Sequence, residues 1–87
     1  MIFELTKAIK HGEEVLTSIE LREPTAKDLK VYGFPIAGET KDIKTDVIFK
    51  YVCALAALPP SVVDQICAKD FIGLTQEIAL FFGGSGD

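Results

Sequence analysis

The hydrophobic period of this chain changes once, at Pro24, and that change points to a small α+β domain. Before Pro24 the apolar residues alternate at period two, which describes one face of a strand. After it they recur three and four residues apart, which describes one face of a helix. Proline makes a natural boundary because it has no N–H to donate to a strand ladder.

In the first segment, Phe3, Leu5 and Ile9 share one face of a strand over 2–9. Val15, Ile19 and Leu21 share one face of a second strand over 15–22, with Leu16, Ser18, Glu20 and Arg22 on the other. Between them, Lys10–Glu14 include Gly12, which supplies the positive φ of a hairpin turn. The prediction is an antiparallel hairpin with one apolar face. Two strands alone are marginal, so that face must pack on the helices that follow.

Thr25-Ala26-Lys27-Asp28 places a capping hydroxyl three residues before an acid and predicts a helix over 26–32, stopped by Gly33. Residues 33–45 hold two glycines, a proline and several charges, and read as a loop. Thr45 or Asp46 caps a helix over 46–58. Its main stripe is Val47, Tyr51, Ala54, Leu55 and Leu58, widened by Ile48 and Val52, while Phe49, Cys53 and Ala56 form a second apolar side. Pro59-Pro60 ends that helix, and Ser61–Asp64 repeats the hydroxyl-then-acid pattern at the start of a short helical turn. The last helix is predicted over 68–82, with Phe71, Leu74, Ile78, Phe81 and Phe82 as its core stripe and Ile72 and Leu80 off it. The sum is an N-terminal antiparallel β-hairpin followed by three to four α-helices, one domain over 1–82, with a flexible Gly-rich tail over 83–87.

The chemistry expected of an enzyme is missing from the pattern. His11 falls in the predicted turn without partners, and no Cys-x-x-Cys or His-x-x-x-His pair is present. Cys53 and Cys67 read as reduced, packed thiols. Gly83-Gly84-Ser85-Gly86 follows a helix rather than opening one, so it is not a phosphate loop. Asp28, Asp64 and Asp70 read as N-terminal helix acids, favoured there by the dipole. No catalytic, cofactor-binding or metal-binding residue is therefore assigned. The net charge of −4 argues against nucleic acid, and a helix-turn-helix over Pro59–Phe71 would carry Lys69 as its sole base. No apolar run approaches the roughly 20 residues of a membrane span, and Met1-Ile2-Phe3-Glu4 does not read as a signal peptide, so the cytoplasm is expected. What remains is surplus apolar surface on two helices, the mark of a protein contact.

Two junctions carry a resemblance. Leu21-Arg22-Glu23-Pro24-Thr25-Ala26-Lys27-Asp28 links hairpin to helix, and Leu58-Pro59-Pro60-Ser61-Val62-Val63-Asp64-Gln65-Ile66 links helix to helix; Asp70-Phe71 then opens a helix ending in Phe81-Phe82-Gly83. In this order, over about residues 3–83, the chain resembles the small tail assembly chaperones of contractile-tailed phages, the group of the P2 E and Mu-like gp41 proteins. It departs from them at Cys67, where a Ser or Thr cap is expected; cysteine caps poorly and predicts a helix start that frays or shifts by a residue.

The resemblance implies a protein that binds the tape measure protein during tail building, helps recruit tail tube subunits and is absent from the finished virion. It also implies, in many members, a longer form made by ribosomal frameshifting, for which Gly83–Asp87 would suit a junction. A client of this kind needs an apolar groove that takes amphipathic helices. The partner-binding candidates are Phe49, Cys53 and Ala56 on the central helix, with Ile72 and Leu80 on the last. The same surface supports self-association before a partner arrives. A small cytosolic adaptor or regulatory domain unrelated to phage tails is the second reading.

Overall fold

A computed structural model describes residues 1–37 and 42–82, and the predicted 83–87 tail lies outside them. The order is β1 (Ile2–His11), β2 (Glu14–Glu20), α1 (Ala26–Tyr32), β3 (Ile36–Ala37), β4 (Asp42–Ile43), α2 (Thr45–Ala56), α3 (Pro60–Val63) and α4 (Ala68–Phe81). The fold is α+β, with the antiparallel β1–β2 hairpin ahead of four helical segments.

Gly12, at φ 67°, opens the two-residue hairpin loop, as the sequence predicts. The ladder is not regular. Between the Glu4–Ser18 and Ile9–Leu16 pairs stand Leu5–Ala8 of β1 against Thr17 alone of β2. Such a bulge bends its strand and sharpens the twist. It also explains a correction: Val15, expected on the core face, is exposed, whereas Leu16, expected on the outer face, packs against the core beside its partner Ile9. The face turned to the helices switches between Thr17 and Leu16.

Bulge residues drop out of the strand ladder and need other acceptors. Asp70 of α4 provides them. Its carboxylate accepts from Thr6 N–H at 3.0 and 3.1 Å, from Thr6 hydroxyl at 3.0 Å and from Lys7 N–H at 3.2 Å. Further along the same strand, outside the bulge, Gln65 pairs with Lys10: its side-chain oxygen accepts from Lys10 N–H at 2.8 Å and its NH2 donates to Lys10 C=O at 2.6 Å. The outer edge of β1 is thus held by side chains from the α3–α4 corner.

The first junction closes on itself. Arg22 donates two bonds to Asp28, at 2.8 and 3.0 Å, and Asp28 also accepts from Thr25 N–H at 2.8 Å. Asp28 is buried, and the Arg22 guanidinium holds its carboxyl well below the usual carboxylate range. α1 spans the predicted residues and ends at Gly33, φ 82°.

Four other boundaries differ from expectation. The 33–45 loop contains the two-residue antiparallel ladder β3–β4. α2 starts at Thr45 with Lys44 at the capping position, so neither Thr45 nor Asp46 is its cap. It stops at Ala56 rather than 58, because Ala57 takes the left-handed conformation (φ 57°) and Leu58 N–H closes back on Cys53 C=O at 3.0 Å, a Schellman-type ending. α3 begins at Pro60, since proline suits the first helical position; Ser61 therefore lies inside it, and Asp64 stands at its C-terminal end instead of its first turn. The start of α4 does not shift: Cys67 sits at the cap position without a capping bond to the helix backbone, its thiol lying 3.9 Å from the Thr6 hydroxyl, and Asp70, the third helical residue, is tied to β1.

The core comprises Ile9, Ile19 and Leu21 of the hairpin, Ile48, Tyr51, Val52 and Leu55 of α2, Val62, Val63 and Ile66 around α3, and Leu74 and Ile78 of α4. Central α2 touches α1, α3, α4 and β2, as an all-round apolar helix should. Tyr51 is fully buried and donates its hydroxyl to Gly33 C=O at 2.7 Å, tying α2 to the end of α1. Among the described residues, no helix is long and apolar enough to cross a membrane.

Candidate functional site

α2 buries Ile48, Tyr51, Val52 and Leu55, so Ile48 and Val52, expected only to widen its stripe, are as enclosed as Tyr51. Val47, Ala54 and Leu58 are half-buried. The second side of α2 is not bare: Phe49, Cys53 and Ala56 are also half-buried and pack against the core. Burial pushes the Cys53 thiol up, and the charge of Asp64 adds to the shift, so Cys53 is an apolar filler rather than a reactive thiol.

The surface opens where the first turns of α2 and α4 meet. Phe49 of α2 and Phe71 of α4 pack ring to ring, with centroids 6.3 Å apart and planes tilted by 36°. Two depressions sharing Thr45 flank this pair. One, of about 400 Å³, is lined by Ala68, Phe71, Ile72 and Thr75; the other, of about 550 Å³, by Phe49 with Asp46, Lys50 and Asp64 around it. Ile72 is 60% exposed on the wall of the first. The result is a shallow, mainly apolar groove with an aromatic floor.

Of the five candidates, Phe49 and Ile72 come together in this groove. Leu80 is 53% exposed about two turns further along α4. Ala56 lines a different cleft, of about 440 Å³, between the C-terminal end of α2 and Leu21–Glu23. Cys53 joins neither set of lining residues. Phe71 packs against the core, as its spacing predicts, and its ring also lines the groove, a second role the spacing does not show. The signal was available in Ala68 and Thr75, small residues three before and four after it on the same face, which leave a depression beside its ring.

A family model described as phage tail assembly chaperone proteins, E, or 41 or 14, matches residues 2–83. The chain belongs to this family. No curated protein and no solved structure matches it. The match to the tail assembly chaperones covers both junctions and all four helical segments, including both helices of the groove. In this chaperone the groove is the apolar surface that the junctions build: Pro60 starts the turn that leads into α4, and Asp70 fixes the first turn of α4, leaving Phe71 and Ile72 beside Phe49.

Other polar convergences are structural. Arg22–Asp28 and Thr6–Asp70 each satisfy buried groups, and no buried side-chain nitrogen or oxygen lacks a partner among the described residues. For Asp70, burial raises the carboxyl's pKa, but hydrogen bonds from Thr6, Cys67 and Lys7 outweigh it and hold the group below its ordinary value.

Proposed function

We propose that this chaperone binds the tape measure protein while the tail is built and helps recruit tail tube subunits. It acts in the host cytoplasm, by contact rather than catalysis, and leaves before the virion is complete. The observation that carries this reading is the uncovered Phe49–Phe71–Ile72 groove in a chain of this family. A long helical client offers apolar residues at i, i+3, i+4 and i+7, and a shallow groove between two helices accepts them. Exposed Leu80 extends the contact along α4. With no client present, the same surface supports pairing of two chaperones.

Co-expression with the neighbouring long helical tail protein, followed by a pull-down, tests the reading. Ile72→Asp and Leu80→Asp remain folded, because both side chains are more than half exposed, and each reduces co-purification at least tenfold. Phe49→Asp also abolishes it but lowers stability, since Phe49 packs on Phe71. Full co-purification of folded Ile72→Asp and Leu80→Asp would remove the groove from the function.

A further inference from the structure

We infer that the helix accepted by this groove carries lysine or arginine beside its apolar stripe. The inference rests on the groove being the client site, and it adds the chemistry of the partner. Asp46 lies in the first turn of α2 and Asp64 at the end of α3, and both edge the depression over Phe49. Both are exposed. The ion pair found among the described residues, Arg22–Asp28, is elsewhere, so neither acid has a cationic partner within 4 Å among those residues. Lys50 is the single base on the same rim, and the opposite wall contributes uncharged Thr75 and Gln76. The balance is two acids to one base, on a chain of net charge −4. A partner helix seated on Phe49 and Phe71 brings the residues flanking its stripe to this rim. Acidic flanks meet like charge there and basic flanks meet opposite charge, which sets both encounter rate and choice of partner.

The test uses two synthetic amphipathic peptides of about 20 residues, long enough to form a helix. They share one apolar stripe and differ only in Lys or Glu flanks. Binding is read by fluorescence anisotropy at ~0.05 M and ~0.5 M NaCl. Exposed ion pairs each shift an equilibrium by a few-fold, so the Lys-flanked peptide binds about three- to tenfold tighter at low salt. That preference shrinks at high salt, and it falls in the Asp46→Asn/Asp64→Asn double variant. Equal binding of both peptides, lost in Ile72→Ser, overturns the charge inference and leaves the groove reading standing. Preference for the Glu-flanked peptide overturns it too. Failure of both peptides to bind, or binding unaffected by Ile72→Ser, overturns both readings. A dimer seen by sedimentation, abolished by Ile72→Ser and displaced by neither peptide, assigns the groove to a second copy and overturns the inference.

Discussion

Thr6 presents both its backbone N–H and its hydroxyl to the carboxylate of Asp70, 64 positions further along the chain, at 3.0–3.1 Å. One side chain therefore fills the gap in the hairpin ladder and fixes the first turn of the last helix. Asp70 is 2% exposed, so replacing its charge leaves donors of the bulge without their acceptor.

Asp70→Asn lowers the unfolding midpoint at pH 7, and the deficit narrows as pH falls below about 4. The sign follows from the depressed pKa of Asp70 in the folded chain: the stabilisation is fully present above the unfolded-state value and is lost as pH falls through the folded-state one. Asp28 is shifted the same way, chiefly by Arg22, so the parent protein also keeps a flat stability from pH 8 to 5 and loses it in acid. Denaturant melts across this pH range check both statements; an undiminished deficit at pH 3 contradicts the first.

Tyr51→Phe removes the hydroxyl that serves Gly33 C=O and nothing of the ring packing against Tyr32 and Phe82. The expected loss is about 1 kcal/mol. In a domain of this size that is a fall of about 4–8 °C in Tm, measured by circular dichroism. A change below a degree would show that the carbonyl is satisfied equally well by water.

Ala57→Gly is expected to stabilise. Ala57 holds φ 57° after α2, a conformation that costs a side-chain-bearing residue about 1–2 kcal/mol, and glycine gives back part of the gain through its freer unfolded state. The net is an increase of about 0.5–1 kcal/mol in unfolding free energy, read from urea titration. A lower midpoint would refute it.

Gly73→Val is expected to destabilise by about 1–3 kcal/mol through overpacking. A Cβ at Gly73 would lie 2.8 Å from Cζ and 3.1 Å from Cε2 of Phe3, so the Phe3 ring occupies the space that a side chain at this position would need. Adding Phe3→Leu should restore part of the loss, and a double-mutant cycle measures that coupling. Strict additivity would place the strain elsewhere.

Local chemistry made most of the elements legible. Gly12, Gly33 and the Arg22–Asp28 junction mark their turns and caps through near neighbours, so hairpin, α1 and the reach of α4 follow from spacing. The bulge was not legible, because its acceptor, Asp70, is remote in sequence and reads there as an ordinary first-turn acid. The switch of Val15 and Leu16 follows from the bulge and was hidden with it. The groove was half legible. Phe49 and Ile72 stand off the helix stripes, but Phe71 lies on one, and its half-buried ring both packs on the core and lines the depression, which helix spacing alone does not show. Ala56 and Cys53 show the converse: an apolar second side of a central helix is largely covered by its own domain.

The tie between Thr6 and Asp70 makes the two ends of the chain conditional on each other. A hairpin formed ahead of α4 would hold a gap whose donors find only water, and α4 formed without the hairpin would lack the donors that hold Asp70. Neither half is a stable partial product, so folding is expected to be all-or-none. A tail assembly chaperone built this way does not linger as a sticky fragment itself.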